Sequence, residues 1–267
     1  MSYEKPQQGN PHKLTINQHT FPESIIKRFY NAKNKVELFE IKSGKITQKS
    51  AGESVFHAKR AWDQKAESGF MKKIEETFES LTADLLKGKE KAFTKEENLK
   101  ISEFFFLCHI RTIYKNYPIE DVKMNGATPS VKLTKDEMEQ LEKKHVVTIT
   151  PDGKVLGRNL TGINTVRRLD ELIEMARPFI WHPHIFNNGE LIVPDYLYDQ
   201  ALPLAQVPII LPIASKICLI GSYSEKKEKA HLPDINMTMY KKCQKTFFVK
   251  DISKIPPLDF IFEKGAS

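Results

Sequence analysis

Residues 94–118 read T-K-E-E-N-L-K-I-S-E-F-F-F-L-C-H-I-R-T-I-Y-K-N-Y-P, and this stretch decides the fold. Thr94 and Glu97 stand three apart just ahead of an apolar run. At that spacing a hydroxyl and a carboxylate each take the other residue's free backbone N–H. A helix therefore opens at Thr94. Pro118, which disfavours helical geometry in the residue before it, closes it near Tyr117. Its middle is apolar on nearly every side, so this helix is expected at the centre of the core.

Upstream, Met71, Ile74, Phe78, Leu81 and Leu85 recur at spacings of three and four, the stripe of a second long helix that stops near Gly88. Further back, V-E-L-F-E-I-K-S-G-K-I-T-Q at 36–48 alternates about Ser43 and Gly44, as a hairpin does. Downstream, a second capping box, Thr134 with Glu137, starts a shorter helix. A hairpin turning at Pro151-Asp152-Gly153 follows it. Together they predict a helix-hairpin insertion at 133–160. Asn164 is expected to cap a helix that ends at Pro178. After it, 179–181, 190–193, 207–212 and 216–220 read as strands of the main sheet, with a helix near 237–243 and a strand at 246–249. The fold class is α+β: long amphipathic helices at the centre, packed with a small, mostly antiparallel sheet. Residues 1–10 are polar and expected to be flexible, with one domain spanning 11–267.

The composition is that of a folded chain: 267 residues, 40% hydrophobic and 28% charged. The net charge of +7 would help to attract nucleic acid, but bases and acids are interleaved throughout. Lys27, Arg28, Lys33 and Lys35, and Lys226, Lys227 and Lys229, are the nearest approaches to a basic patch, and each also reads as a solvated face. Three cysteines, two of them in apolar runs, read as buried free thiols. With no secretory h-region and no long uncharged apolar stretch, a cytoplasmic location and no membrane partner are expected.

The phosphate-loop, dinucleotide, nucleophile-elbow, zincin and C-x-x-C motifs do not occur. Candidates are therefore single residues. His19, beside an apolar anchor, can act as a general base or can pack the start of the fold. Glu75 flanks the apolar stripe, where most glutamates are solvated. Arg111 lies inside an apolar run, where a charge costs several kcal/mol unless paired, so it must snorkel to water or meet a carboxylate. A paired buried arginine can brace a fold or clamp an anion. His182 and His184 have the spacing of a two-ligand metal arm, but no third ligand is evident, and neither metal nor cofactor is expected. Asp195 ends a strand, where active-site groups often occur, and could equally start a turn. Ser215 and Lys216 suggest a nucleophile pair and also suit a polar turn; Lys216 is carried as a candidate substrate-binding residue.

His19, Pro22 and Phe29 follow an H-x-x-P pattern with a later aromatic. With Ile74-Glu75, the helix running through Arg111, L-I-V-P-D at 191–195 and I-L-P-I-A-S-K-I-C-L-I at 210–220, they resemble the bacterial family catalogued as domain of unknown function 4238. The likeness spans roughly residues 10–221. Asp195 matches that family's aspartate, whereas Pro194, Tyr196 and Ala214-Ser215 depart from its pattern. The resemblance implies no particular reaction; its members look like mobile-element or phage-defence cargo. The leading expectation is an enzyme, a toxin-like or defence effector acting on nucleic acid. His19 would serve as acid or base, Glu75 and Asp195 as carboxylates, and Arg111 would hold a phosphate. The rival is a non-enzymatic module binding protein or RNA through basic surface or exposed aromatics such as Tyr196 and Tyr198.

Overall fold

The structure is a computed structural model that describes residues 3–125, 129, 131–198 and 209–256. Its axis is the helix Lys95–Asn116. The Thr94–Glu97 box is formed at its start, and Tyr117 caps its end. In chain order the helices are α1 (Glu23–Lys27), α2 (Gln64–Ala66), α3 (Lys72–Thr82), α4 (Lys95–Asn116), α5 (Lys135–Lys143), α6 (Gly157–Ala176) and α7 (Leu232–Tyr240). Phe104, Phe105, Phe106, Leu107 and Ile110 of α4 are all fully buried. Phe104 stacks on Phe78 of α3 with ring centroids 3.8 Å apart. Burial of this kind contributes roughly 1.5–3 kcal/mol per large apolar side chain.

The second long helix is α6, which packs along α4. The expected stripe from Met71 to Leu85 is interrupted instead. α2 passes through a wide turn at Glu67–Met71, where Gly69 leaves helical geometry, before α3 begins. A short 3-10 turn at Leu85–Lys87 then ends in Gly88 with φ +79°, which is where the sequence puts the stop. α6 starts at Gly157 and not at Asn164. The Asp121 carboxylate accepts the Gly157 N–H at 2.8 Å, and the Asn164 side chain donates to the Leu160 carbonyl within the helix. The cap comes from a distant loop, so no local pattern announces it.

The strands form several small antiparallel sheets, and the single main sheet expected from the sequence is divided. β2 (Val36–Glu40) and β3 (Ile46–Lys49) make the expected hairpin, with Gly44 at φ +64°. β11 (Thr246–Val249) adds to β2, and β8 (Val193–Pro194) adds to β11. A second sheet has the order β7-β10-β9, from Ile180–Ile185, Ile217–Ser222 and Ile209–Ala214. Pro183 and Pro212 lie in its two outer strands, where a missing N–H is tolerated, and the central β10 has no proline. The strand expected at 190–193 shrinks to β8. The Leu191 N–H goes to the Ser215 carbonyl and the Ile192 N–H to the Asn236 side chain, outside any ladder. Residues 207 and 208 of the strand expected at 207–212 lie outside the described residues.

The helix-hairpin insertion is present, with the Thr134–Glu137 box intact and Gly153 at φ +79° in the turn. Its hairpin reduces to one bridge, Ile149 with Val155, because β6 (Lys154–Val155) pairs with β5 (Val122–Lys123). Residues 3–10 run against α5. The Gln7 N–H donates to Glu139 and the Gln7 amide to Asp136, both at 2.9 Å. Glu142 takes Arg60 and Arg158 at 2.7 Å each, and Arg158 also meets Glu4.

Candidate functional site

Two three-residue strands, β1 (Asn17–His19) and β4 (His57–Lys59), pair antiparallel and set His19 opposite His57. The corner after His19 explains the H-x-x-P spacing. Pro22 caps α1, and Ile26 and Phe29 drop into the core, where Phe29 meets Phe248 edge to face. His19 is thereby held half-buried at the outer end of the motif. Its Nε2 lies 2.9 Å from Nε2 of His57 and 3.2 Å from the Ala51 carbonyl. The rings are edge to face at 4.2 Å. Only one of the two nitrogens can carry a hydrogen toward the other, so the contact requires complementary tautomers of the two rings. Burial, and then the nearby charges of His19, Lys59 and Lys115, push the His57 imidazole down to about 4. It is neutral at physiological pH.

Arg111 is buried and does meet a carboxylate: it pairs with Glu75 across the α3–α4 contact. Glu67 lies 4.0 Å away, and the guanidinium sits 5.6 Å from the Trp62 ring centre. The indole N–H of Trp62 donates to Glu67 at 2.5 Å. Burial opposes the charge on Arg111, but Glu75 and Glu67 outweigh it and hold the group above its ordinary value. Neither Arg111 nor Glu75 lines either of two cavities beside α4.

Asp195 sits at the end of β8, and its carboxylate binds backbone. Oδ1 accepts the Gln244 N–H at 2.8 Å, and Oδ2 accepts Lys245 at 2.8 Å and Thr246 at 3.1 Å. Lys216 donates to the Asn187 carbonyl at 2.8 Å in the exposed turn between β9 and β10. His182 points its Nε2 at the Ser224 carbonyl, and burial, followed by Lys227, pushes His184 down to about 4. Glu75 and Arg111 are thus brought together, and no hydrogen bond or ion pair among the described residues joins them to His19, Asp195 or Lys216. No three metal-ligating side chains converge among the described residues either. Nor is any helix among them long and apolar enough to cross a membrane.

Two cavities flank the outer part of α4. One, of about 340 Å³, lies between α4 and the β8–β11 edge and includes Lys115, Asp195 and Tyr196. The other, of about 540 Å³, is lined by Tyr117, Tyr196 and Tyr198 together with Arg168, Lys241 and Lys242.

The family model described as "Protein of unknown function (DUF4238)" matches residues 17–192. The chain belongs to this family. No curated protein and no solved structure matches it significantly. The DUF4238 match starts at β1 and so takes in His19, His57, Glu75 and Arg111, while Asp195 and Lys216 fall beyond its end. His57 and Lys115, which the sequence reading passed over, lie inside the DUF4238 region. His57 carries no local signal, because its significance comes from pairing with a strand 38 residues away. Lys115, four residues after Arg111 on the same helix face, reads in the sequence as a solvated helix end.

Proposed function

We propose that the protein cleaves RNA by acid–base chemistry centred on His19, with His57 behind it as the positioning partner. The observation that carries this reading is the 2.9 Å contact between the two Nε2 atoms, one belonging to an imidazole that burial keeps neutral. An imidazole held in place by a second ring can take up and return a proton. His19 takes the proton of a ribose 2′-hydroxyl as that oxygen attacks phosphorus. The bond from phosphorus to the 5′ oxygen breaks, and His19 returns the proton to the departing oxygen. The products are a 2′,3′-cyclic phosphate and a 5′-hydroxyl. Lys59 and Lys115, whose charges reach His57, and the overall charge of +7 favour a polyanionic substrate. Glu75 and Arg111 brace α3 on α4 in this reading, and Asp195 fixes the turn before β11. Such an activity suits a toxin-like or phage-defence effector.

The test uses matched single-stranded RNA and DNA oligonucleotides, with and without chelator, and the purified chain. Cleavage of RNA alone, ending in cyclic phosphate, is expected. His19→Ala should lower the rate about 100-fold or more without loss of fold, and His57→Gln should shift the pH profile. Equal cleavage of DNA, or a His19→Ala rate like that of the wild type, would refute the reading. The second reading, RNA binding without cleavage, is favoured by exposed Tyr117 beside Lys241 and Lys242, since bases stack on aromatic rings beside cations; Tyr196 and Tyr198, expected to be exposed, are buried. Retention of RNA on filters with no cleavage under any condition would support it.

A further inference from the structure

We infer that the cavity between α4 and the β8–β11 edge binds a small carboxylic acid with an aromatic or short aliphatic body, its carboxylate held by Lys115. Neither histidine lines this cavity, although Lys115, whose charge reaches His57, is common to both readings, so the inference is tested by ligand binding and not by RNA cleavage. Three observations support it.

The cavity, at about 340 Å³, has Phe21, Phe56, Leu38, Phe247 and Phe248 in its wall, which suits an apolar body. Into that wall α4 sets Lys115. Its ammonium donates to the Val55 carbonyl and has no carboxylate within ion-pair distance among the described residues. The acid that shares the cavity, Asp195, already has both oxygens engaged by the backbone N–H groups of Gln244, Lys245 and Thr246. Desolvation holds the Lys115 amine below its ordinary value, the more so for Lys245 nearby and against the pull of Asp195. A cation left half-buried in this way is stabilised by an incoming anion.

Tyr196 supplies the third observation. It is only 9% exposed and lines the cavity, and its hydroxyl faces Asn116 without a well-formed hydrogen bond. Lys115 and Lys245 both line the cavity, and the buried Tyr196 hydroxyl, which lacks a partner, is a further donor for a carboxylate. With Asp195 they give its lining a net charge of +1, which matches a carboxylate monoanion and not a phosphate dianion, and no arginine fork lines it.

The experiment is calorimetric titration of the full chain with phenylacetate, indole-3-acetate and octanoate, with the matching amides and inorganic phosphate as controls. At least one acid should bind at one site below about 1 mM and raise the melting temperature. Its amide should bind about tenfold more weakly or worse. Lys115→Met should abolish the preference for acid over amide while leaving the unliganded protein at least as stable, because a buried charge has been removed. Tyr196→Phe, a smaller change that keeps the ring, should weaken the acid several-fold, and it decides the matter if Lys115→Met does not fold. The inference is overturned if no acid binds, if the amides or phosphate bind as well as the acids, or if the variants bind the acids unchanged.

Discussion

Replacing Glu75 by Gln removes the charge that Arg111 meets most closely. The Arg111 side chain is 3% exposed, so its charge cannot turn to water, and losing the partner of such a buried ion costs about 3–5 kcal/mol. Two features reduce that figure: Glu67 remains 4.0 Å away, and the Glu75 side chain is 27% exposed, so water already screens part of the pair. A loss of about 2–3 kcal/mol is expected, which for a chain of this size lowers the melting temperature by about 5–10 °C. Arg111→Met, which removes the buried cation and keeps the volume, should cost less than Glu75→Gln does. The double variant should be little worse than Arg111→Met alone, a coupling of about 2 kcal/mol. Urea unfolding followed by tryptophan fluorescence measures all four proteins, and Trp62, which stacks near Arg111, reports directly on the contact. If Glu75→Gln lies within about 0.5 kcal/mol of the wild type, or the two substitutions simply add, the pair is not the brace described here.

Asp195→Asn turns one acceptor oxygen into an amide donor facing backbone N–H groups, so a loss of about 2–3 kcal/mol is expected. Hydrogen exchange at Gln244–Thr246 should accelerate while α4 keeps its protection, and unchanged exchange there would contradict the role. His57 titrates near 6.5 in an unfolded chain and at about 4 in the fold. Between those values the unfolded chain takes up a proton that the fold refuses. Its contribution is therefore complete above pH 6.5, declines as pH falls toward 4, and levels off below. His184 has the same direction, so His57→Gln should reduce the slope of stability against pH in that window without abolishing it. Equal slopes for variant and wild type would refute the assignment.

What could be read from the sequence was local. The Thr94–Glu97 box, Pro118 and the unbroken apolar run define α4, because each acts within a turn of its own position. Gly44 and Gly88 mark their turns for the same reason, both having positive φ. That Arg111 needs an acid also follows from its neighbours, although which acid depends on how α3 lies on α4. The remainder is set at a distance. β1 and β4 are too short to alternate, so the meeting of His19 and His57 has no pattern of its own. α6 begins where Asp121, 36 residues earlier, reaches Gly157. Asp195 looks like an exposed strand-end acid until β11 brings three N–H groups to it.

β2 finds its inner neighbour in β11, Glu37 lying opposite Val249, and Glu4 reaches forward to Arg158. On the ribosome the early hairpin must therefore wait, its edge uncovered, until almost all the chain described here has been made. Such late closure slows folding and leaves a strand edge open to foreign pairing in the interval. Translation speed and chaperone supply should thus govern the yield of this protein more than its final stability does.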